Sequence, residues 1–196
     1  FQSGILQGEL AAVACNADSS IDKNGDGMIQ YIVLEGEAGH QDAIVRTEYS
    51  VNTLIGAGVK VDKIGYAIAN WNRTQAQTKV AQMIEQNGDK IELVLANNDD
   101  MALGAIDAYR ASGILRSKWP AIFGIDGTKE GLDAVKKDEM IGTVYNDGPG
   151  QAKAMFRLCY ALATGSSTDN IGLTDKKYIR LPYAKVTAAN VNDYTD

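Results

Sequence analysis

Cysteine, histidine and proline are scarce, with 2 Cys, 1 His and 3 Pro in 196 residues. Cys15 and Cys159 form no CxxC spacing, so neither a disulfide framework nor a thiolate metal site is expected, and both read as small buried hydrophobes. No uncharged apolar run reaches the roughly 18 residues of a membrane span. Lys and Arg do not cluster; 19 of them stand against 25 Asp and Glu, a net charge of -6. That balance lacks the electrostatic footprint of a nucleic-acid binder. No Walker pattern or GxGxxG offers a phosphate cradle, and no Ser or Cys nucleophile motif accompanies His40, the single histidine. The chain opens at Phe1-Gln2-Ser3-Gly4 without a basic-then-apolar leader, directly in a helical pattern, as would a piece cut from something longer.

What is present is alternation. Short β-branched or apolar runs at 28–34, 64–69, 91–96, 121–125 and 141–145 alternate with three- and four-residue apolar spacing at 44–54, 75–84, 101–109 and 131–135. An opening helix over 4–15 precedes them. Parallel neighbours need long crossovers, and these crossovers are helical. The expected fold is therefore α/β, an open parallel sheet with helices on both faces. Asn98-Asp99-Asp100 can cap the helix that follows its strand, and Gly113 suits a left-handed C-terminal position. After Tyr145 the pattern changes to an amphipathic helix over 149–164, a polar stretch over 165–177, and a last strand over 178–183. Met101, Leu103, Ile106 and Tyr109 read as core, as do Ala154, Phe156, Leu158, Ala161 and Leu162.

The sharpest local signal is Asp22-Lys23-Asn24-Gly25-Asp26-Gly27-Met28-Ile29-Gln30. It presents oxygens at loop positions one, three, five and nine, and glycine at six, as in the front of a calcium loop. Position twelve, where an EF-hand places Glu, is Val33. On spacing alone two readings stay open: a solvated Asp/Asn/Gly turn, or a site closed by a distant carboxylate.

A second signal is distributed. Open parallel sheets bind ligands at the carboxyl ends of their strands. His40 and Asp42 follow the first strand, Trp71 the second, Asn98 the third, Asp126 the fourth and Asn146 the fifth, while Arg46 lies one helical turn beyond Asp42. Planar Asp, Asn and Arg engage adjacent hydroxyls with two atoms, and an indole offers a flat wall to C–H bonds; a sugar needs that mixture. Taken singly, Asn98, Asp126 and Asn146 also read as caps or turns, and Trp71 as core. As a set they read as a sugar site.

These residues carry a resemblance. Ser3-Gly4-Ile5-Leu6-Gln7-Gly8, the calcium-like loop, Gly36 to Asp42, Ala96 to Asp99, Phe123 to Asp126 and Gly142 to Asp147 resemble periplasmic galactose/glucose-binding proteins of the MglB type, sugar receptors of ABC transport. The resemblance implies a non-enzymatic, extracytoplasmic receptor, periplasmic or anchored at the cell surface. It implies a Ca2+ held by Asp22, Asn24, Asp26, the Met28 carbonyl, Gln30 and Glu92. It implies monosaccharide contacts, to galactose or glucose, at His40, Asp42, Arg46, Trp71, Asn98, Asp126 and Asn146, and an ABC permease, with a chemoreceptor in some bacteria, as partner. By the same resemblance residues 1–147 correspond to the C-terminal sugar-binding lobe, 148–177 to a segment that packs on an N-terminal lobe, and 178–196 to a hinge crossing and return. Most of the N-terminal lobe has no counterpart here, so the 149–164 helix is expected to self-associate and sugar binding by this piece alone to be weak. The alternatives within the same fold class are the effector module of a LacI-type regulator and a carbohydrate-acting enzyme using His40 and Asp42.

Overall fold

A computed structural model describes residues 1–175 and 177–195. The chain divides into two compact units, Phe1–Tyr145 with Ala184–Asp196, and Asn146–Tyr183.

In the first unit, α1 (Gln2–Ala17) leads into β1 (Ile29–Glu35), α2 (Gln41–Gly56), β2 (Val61–Ile68), α3 (Arg73–Asn87), β3 (Leu93–Ala96), α4 (Asp99–Ser112), β4 (Ala121–Phe123), α5 (Lys129–Lys136) and β5 (Gly142–Tyr145). With a sixth strand, β6 (Ala184–Thr187), the sheet is ordered β2-β1-β3-β4-β5-β6, with β1 to β5 parallel. The sixth strand runs antiparallel to β5, so the sheet is mixed rather than wholly parallel.

That last strand corrects the expectation of a strand over 178–183. Those residues alternate between exposed and half-buried, which mimics a strand pattern, but Tyr178 makes only an isolated bridge to Thr174 and pairing starts at Ala184. Pro182 within the run has no N–H to give a ladder.

Successive strand residues point to opposite faces. Ile32, Leu34, Val94, Ala96 and Ile122 join Val80, Met101, Ile106 and Leu132 of α3, α4 and α5 in one core. On the other side α1 packs against α2 and reaches β5 and β6. Close helix approach is possible because a Cβ on Gly8 would lie 2.5 Å from the Ser50 carbonyl oxygen, and one on Gly4 2.9 Å from that of Arg46. Glycine at these two positions seats α2, and with it Arg46, against the sheet.

Each helix of this unit that follows a strand starts on a capping side chain. His40 Nδ1 accepts from the Asp42 N–H, Asn72 from Gln75, Asn98 from Met101 and Thr128 from Gly131. Gly113 ends α4 with φ 73°, the left-handed position expected of it. Met101, Leu103, Ile106 and Tyr109 are buried as the helical spacing predicts.

The second unit contains α6 (Gly148–Thr164), capped by Asp147, which accepts the Gly150 N–H. Its spacing predicted a core face, but Phe156 is 70% and Leu162 68% exposed, and of this helix only Ala161 is buried. An amphipathic pattern specifies a face, and nothing in α6 itself can cover it. The cysteines are both free, Cys15 half-buried and Cys159 exposed, so the expectation of burial fails for Cys159, which lies on α6.

Candidate functional site at the carboxyl ends of the strands

At the carboxyl ends of β1 to β4, loops and helix N-termini bring polar groups onto one edge of the sheet. Arg46, in the second turn of α2, is the hub. Its Nη1 donates to the Asn97 carbonyl oxygen at 2.7 Å and to Asp126 Oδ1 at 3.2 Å. Its guanidinium carbon lies 5.7 Å from the centroid of the Trp71 ring. The residue is 7% exposed, and its Nε is a buried donor with no partner among the described residues. A buried guanidinium N–H without an acceptor is costly, a cost set against the two acceptors that Nη1 engages.

Trp71 forms the wall. His40 meets it edge-on, with ring centroids 5.4 Å apart. The indole lies over the chain at Gly36, where a Cβ would overlap the ring, so glycine is required there for Trp71 to take its place. Asn98 Nδ2 donates to the Trp71 carbonyl at 3.3 Å while its Oδ1 caps α4. Asp42 is exposed in the first turn of α2, one turn before Arg46. His40, Arg46, Trp71, Asn98 and Asp126 are therefore joined by direct contacts, and Asp42 stands beside them on α2. Asn146 belongs to the second unit, where its Oδ1 accepts from Gln151 Nε2 at 2.5 Å.

Backbone conformation marks the same edge. Asn70 (φ 52°), Trp71 (φ 60°) and Asp126 (φ 121°) are non-glycine residues on the left-handed side. Such conformations cost on the order of 1–3 kcal/mol each and persist where the surroundings over-determine them. The cap reading holds for Asn98, and the two capping residues Asn98 and His40 also contact Trp71.

Three residues outside the expected set brace this edge. Asn97, 1% exposed, accepts the Gly36 N–H with Oδ1 and exchanges contacts with Thr47. Gln7, wholly buried on α1, donates to the carbonyl oxygens of Ala96, Phe123 and Gly124 where β3 and β4 end. Asp99 accepts from the Thr128 N–H and from the hydroxyls of Thr128 and Thr143. Burial pushes its carboxyl up to about 7, against the opposing pull of those hydrogen bonds. In the sequence, Asp99 was read within the Asn98-Asp99-Asp100 cap, and Gln7 and Asn97 stood only within the stretches that carry the family resemblance.

The 22–30 loop turns tightly. Asp22 Oδ1 accepts the N–H groups of Gly25 and Asp26, and Oδ2 that of Gly27. Gly25 and Gly27 have φ near 70° and 78°. Glu92, 1% exposed, accepts the N–H groups of Lys23 and Asn24 on Oε1 and of Gln30 on Oε2. The Asn24 amide nitrogen sits 3.0 Å from Asp26 Oδ2 and 2.9 Å from Gln30 Oε1, a group carrying positive hydrogens among oxygens. Among the described residues no three His, Cys, Asp or Glu side chains are arranged as a metal site. The donor set fits a hard cation in composition, being carboxylates and amides, with the carboxylates engaged by loop N–H groups in this conformation.

Lys23 reaches out of this loop, its Nζ donating to the carbonyl oxygens of Ile91 and Lys118, and burial lowers its ammonium to about 8. Among the described residues no helix is long and apolar enough to cross a membrane.

Comparison with known proteins identifies the family. The chain is 38% identical over 196 residues to a D-galactose/methyl-galactoside binding periplasmic protein MglB of Haemophilus influenzae, covering 98% of this chain and 58% of that protein. It is 32% identical over 171 residues to a xylitol-binding protein of Mycolicibacterium smegmatis, covering 87% of this chain and 46% of the relative. A solute-binding protein of an ABC transporter from Bacillus halodurans, solved with myo-inositol, superposes with a TM-score of 0.79 at 30% identity, covering 98% of this chain and 60% of that one. The chain thus spans between 46% and 60% of the length of these relatives. Residues 1–167 match the periplasmic binding protein domain, and the chain belongs to that family of non-enzymatic solute receptors.

Proposed function

We propose that this chain forms one sugar-binding jaw of a periplasmic receptor that takes galactose or glucose and delivers it to an ABC permease. The observation that carries this reading is the Arg46 cluster: a guanidinium held by the Asn97 carbonyl and Asp126 beside the Trp71 ring, which His40 meets edge-on. Bidentate acceptors and donors beside an indole face suit the hydroxyl edge and C–H face of a pyranose. The galactoside named for the most similar of the relatives above supports that sugar class, while the xylitol and myo-inositol named for the others support polyols more broadly.

The assignment of His40, Asp42, Arg46, Trp71, Asn98 and Asp126 as sugar contacts, with Asn146 as a seventh, is part of the proposal. So is a structural Ca2+ at Asp22, Asn24, Asp26, the Met28 carbonyl, Gln30 and Glu92. The exposed face of α6, with Met155, Phe156, Tyr160 and Leu162, supports self-association of this chain.

The test is an NMR titration of the chain with D-galactose, D-glucose, xylitol and myo-inositol. Weak binding by one jaw is expected, with shifts centred on His40, Arg46, Trp71 and Asp126 and abolished in Trp71→Ala. Shifts confined to other surfaces, or none with any of the four, would refute the reading.

A further inference from the structure

Asp126 is held in an unfavourable backbone conformation, φ 121°, followed by Gly127 at φ 66°. Something must hold this turn, because a strained residue relaxes unless its flanks are fixed. The Asp126 N–H itself donates to the Val144 carbonyl oxygen of β5 at 2.8 Å, and both flanks of the turn are tied by one further residue. The Asp99 N–H donates to the Ile125 carbonyl oxygen at 2.7 Å, immediately before Asp126. Asp99 Oδ2 accepts the Thr128 N–H at 2.7 Å, immediately after Gly127, and the Thr128 hydroxyl at 3.2 Å. Its other oxygen contacts the Thr143 hydroxyl of β5 at 2.6 Å. The carboxyl occupies a slot open only because residues 124 and 131 are glycine; a Cβ on either would overlap an Asp99 oxygen. The residue is fully buried, so it has no access to a ligand itself.

We propose that Asp99 is the positioning residue of the sugar site, bracketing the Asp126–Gly127 turn so that the Asp126 carboxylate faces Arg46. This rests on the sugar-site reading for its functional meaning, while the bracketing itself does not. Asparagine can replace the carboxyl: Oδ1 accepts from Thr128 and Nδ2 donates to the Thr143 oxygen. Alanine leaves the Thr128 N–H and both hydroxyls without an acceptor.

The experiment is amide hydrogen exchange by NMR on the whole chain as wild type, Asp99→Ala and Asp99→Asn. Asp99→Ala is expected to speed exchange by about tenfold or more at Thr128, whose N–H loses its acceptor, and at Asp126, whose N–H on the Val144 carbonyl loosens with the turn, with Val33 and Leu95 of the sheet unchanged. Asp99→Asn is expected to restore protection. Unchanged exchange at Thr128 and Asp126, a uniform rise across the sheet, or failure of asparagine to rescue would each overturn the proposal. If Asp99→Ala does not fold, Thr143→Val replaces it; faster exchange at Thr128 alone among these amides supports the bracket, and no change overturns it. Galactose titration of the same variants separates the two readings. If wild type binds no sugar, the sugar site fails while the exchange pattern still decides the bracket; if it binds, Asp99→Ala should weaken binding about tenfold and Asp99→Asn much less.

Discussion

Glu92, at the mouth of β3, accepts the Lys23 N–H at 2.6 Å across 69 positions of sequence. Its carboxylate also takes the N–H groups of Asn24 and Gln30, so it ties both ends of the 22–30 loop to the sheet. Glu92→Ala orphans these donors and should lower stability by about 3 kcal/mol or more, read as a fall in Tm. Calcium should raise the wild-type Tm and a chelator lower it, by mass action on the state that binds the ion. The Glu92→Ala melt should respond to neither. A wild-type melt indifferent to calcium would leave the loop as a self-contained turn.

The contact of Trp71 with Gly36 makes a second prediction. In Gly36→Ala the new methyl must displace the indole, an overpacking of about 1–3 kcal/mol. Against a Trp119→Phe background, Trp71 emission should move to the red, and sugar-dependent changes should vanish. Unchanged emission would show that the ring does not depend on glycine there.

Arg46 serves both structure and ligand. Arg46→Met removes the donor to the Asn97 carbonyl and to Asp126, whose side chain is 30% exposed and can rehydrate. The expected loss is therefore modest, about 1–3 kcal/mol, with sugar binding lost outright. Arg46→Lys keeps the charge but not the fork, and should recover stability better than binding. Chemical denaturation and titration together measure the two effects.

The buried Asp99 carboxyl predicts a pH dependence whose sign is set by its raised folded value, about 7 against 3.8. Between these values the folded chain holds a proton that the unfolded chain releases. This contribution to stability is fully present below pH 3.8 and is lost as pH rises through about 7. Asp99→Asn cannot titrate, so the difference in Tm between wild type and variant should shift in favour of wild type as pH falls from about 7 toward 4. A constant difference would mean that Asp99 stays ionised in the fold.

Exposure of α6 predicts association. Phe156 and Tyr160 stack with centroids 6.2 Å apart on its open face. Light scattering should show the chain larger than a monomer, and Phe156→Asp should return it to monomer, since a desolvated carboxylate is not tolerated in an apolar contact. A wild-type monomer would show that the face tolerates water.

Much of the fold was legible because its signals are local. Short apolar runs, helical apolar spacing, the Asn98 cap and Gly113 each act within a turn or two of chain, and the elements they specify formed within a few residues of expectation. The strand expected over 178–183 failed because alternation records which side chains avoid water, not whether a partner strand is present, and Pro182 withholds a donor. Phe156 and Leu162 misled for a related reason: helical spacing defines an apolar face without supplying its cover.

The site divides the same way. Residue type and strand-end position selected His40, Arg46, Trp71, Asn98 and Asp126, and the fold joined them. The bracing roles of Gln7, Asn97 and Asp99 were not legible because a buried polar side chain has no sequence signature; its role exists only once its hydrogen-bond partners are assembled from distant strands. By itself the sequence determined the order of strands and helices, the turn at 22–30 and the polar character of one sheet edge, since these follow from backbone preference and local patterning. Only the tertiary structure decided that Arg46 would face Asp126 across 80 positions and that Asp99 would clamp the turn beside it, because hydrogen-bond geometry between remote segments is fixed by packing and not by spacing.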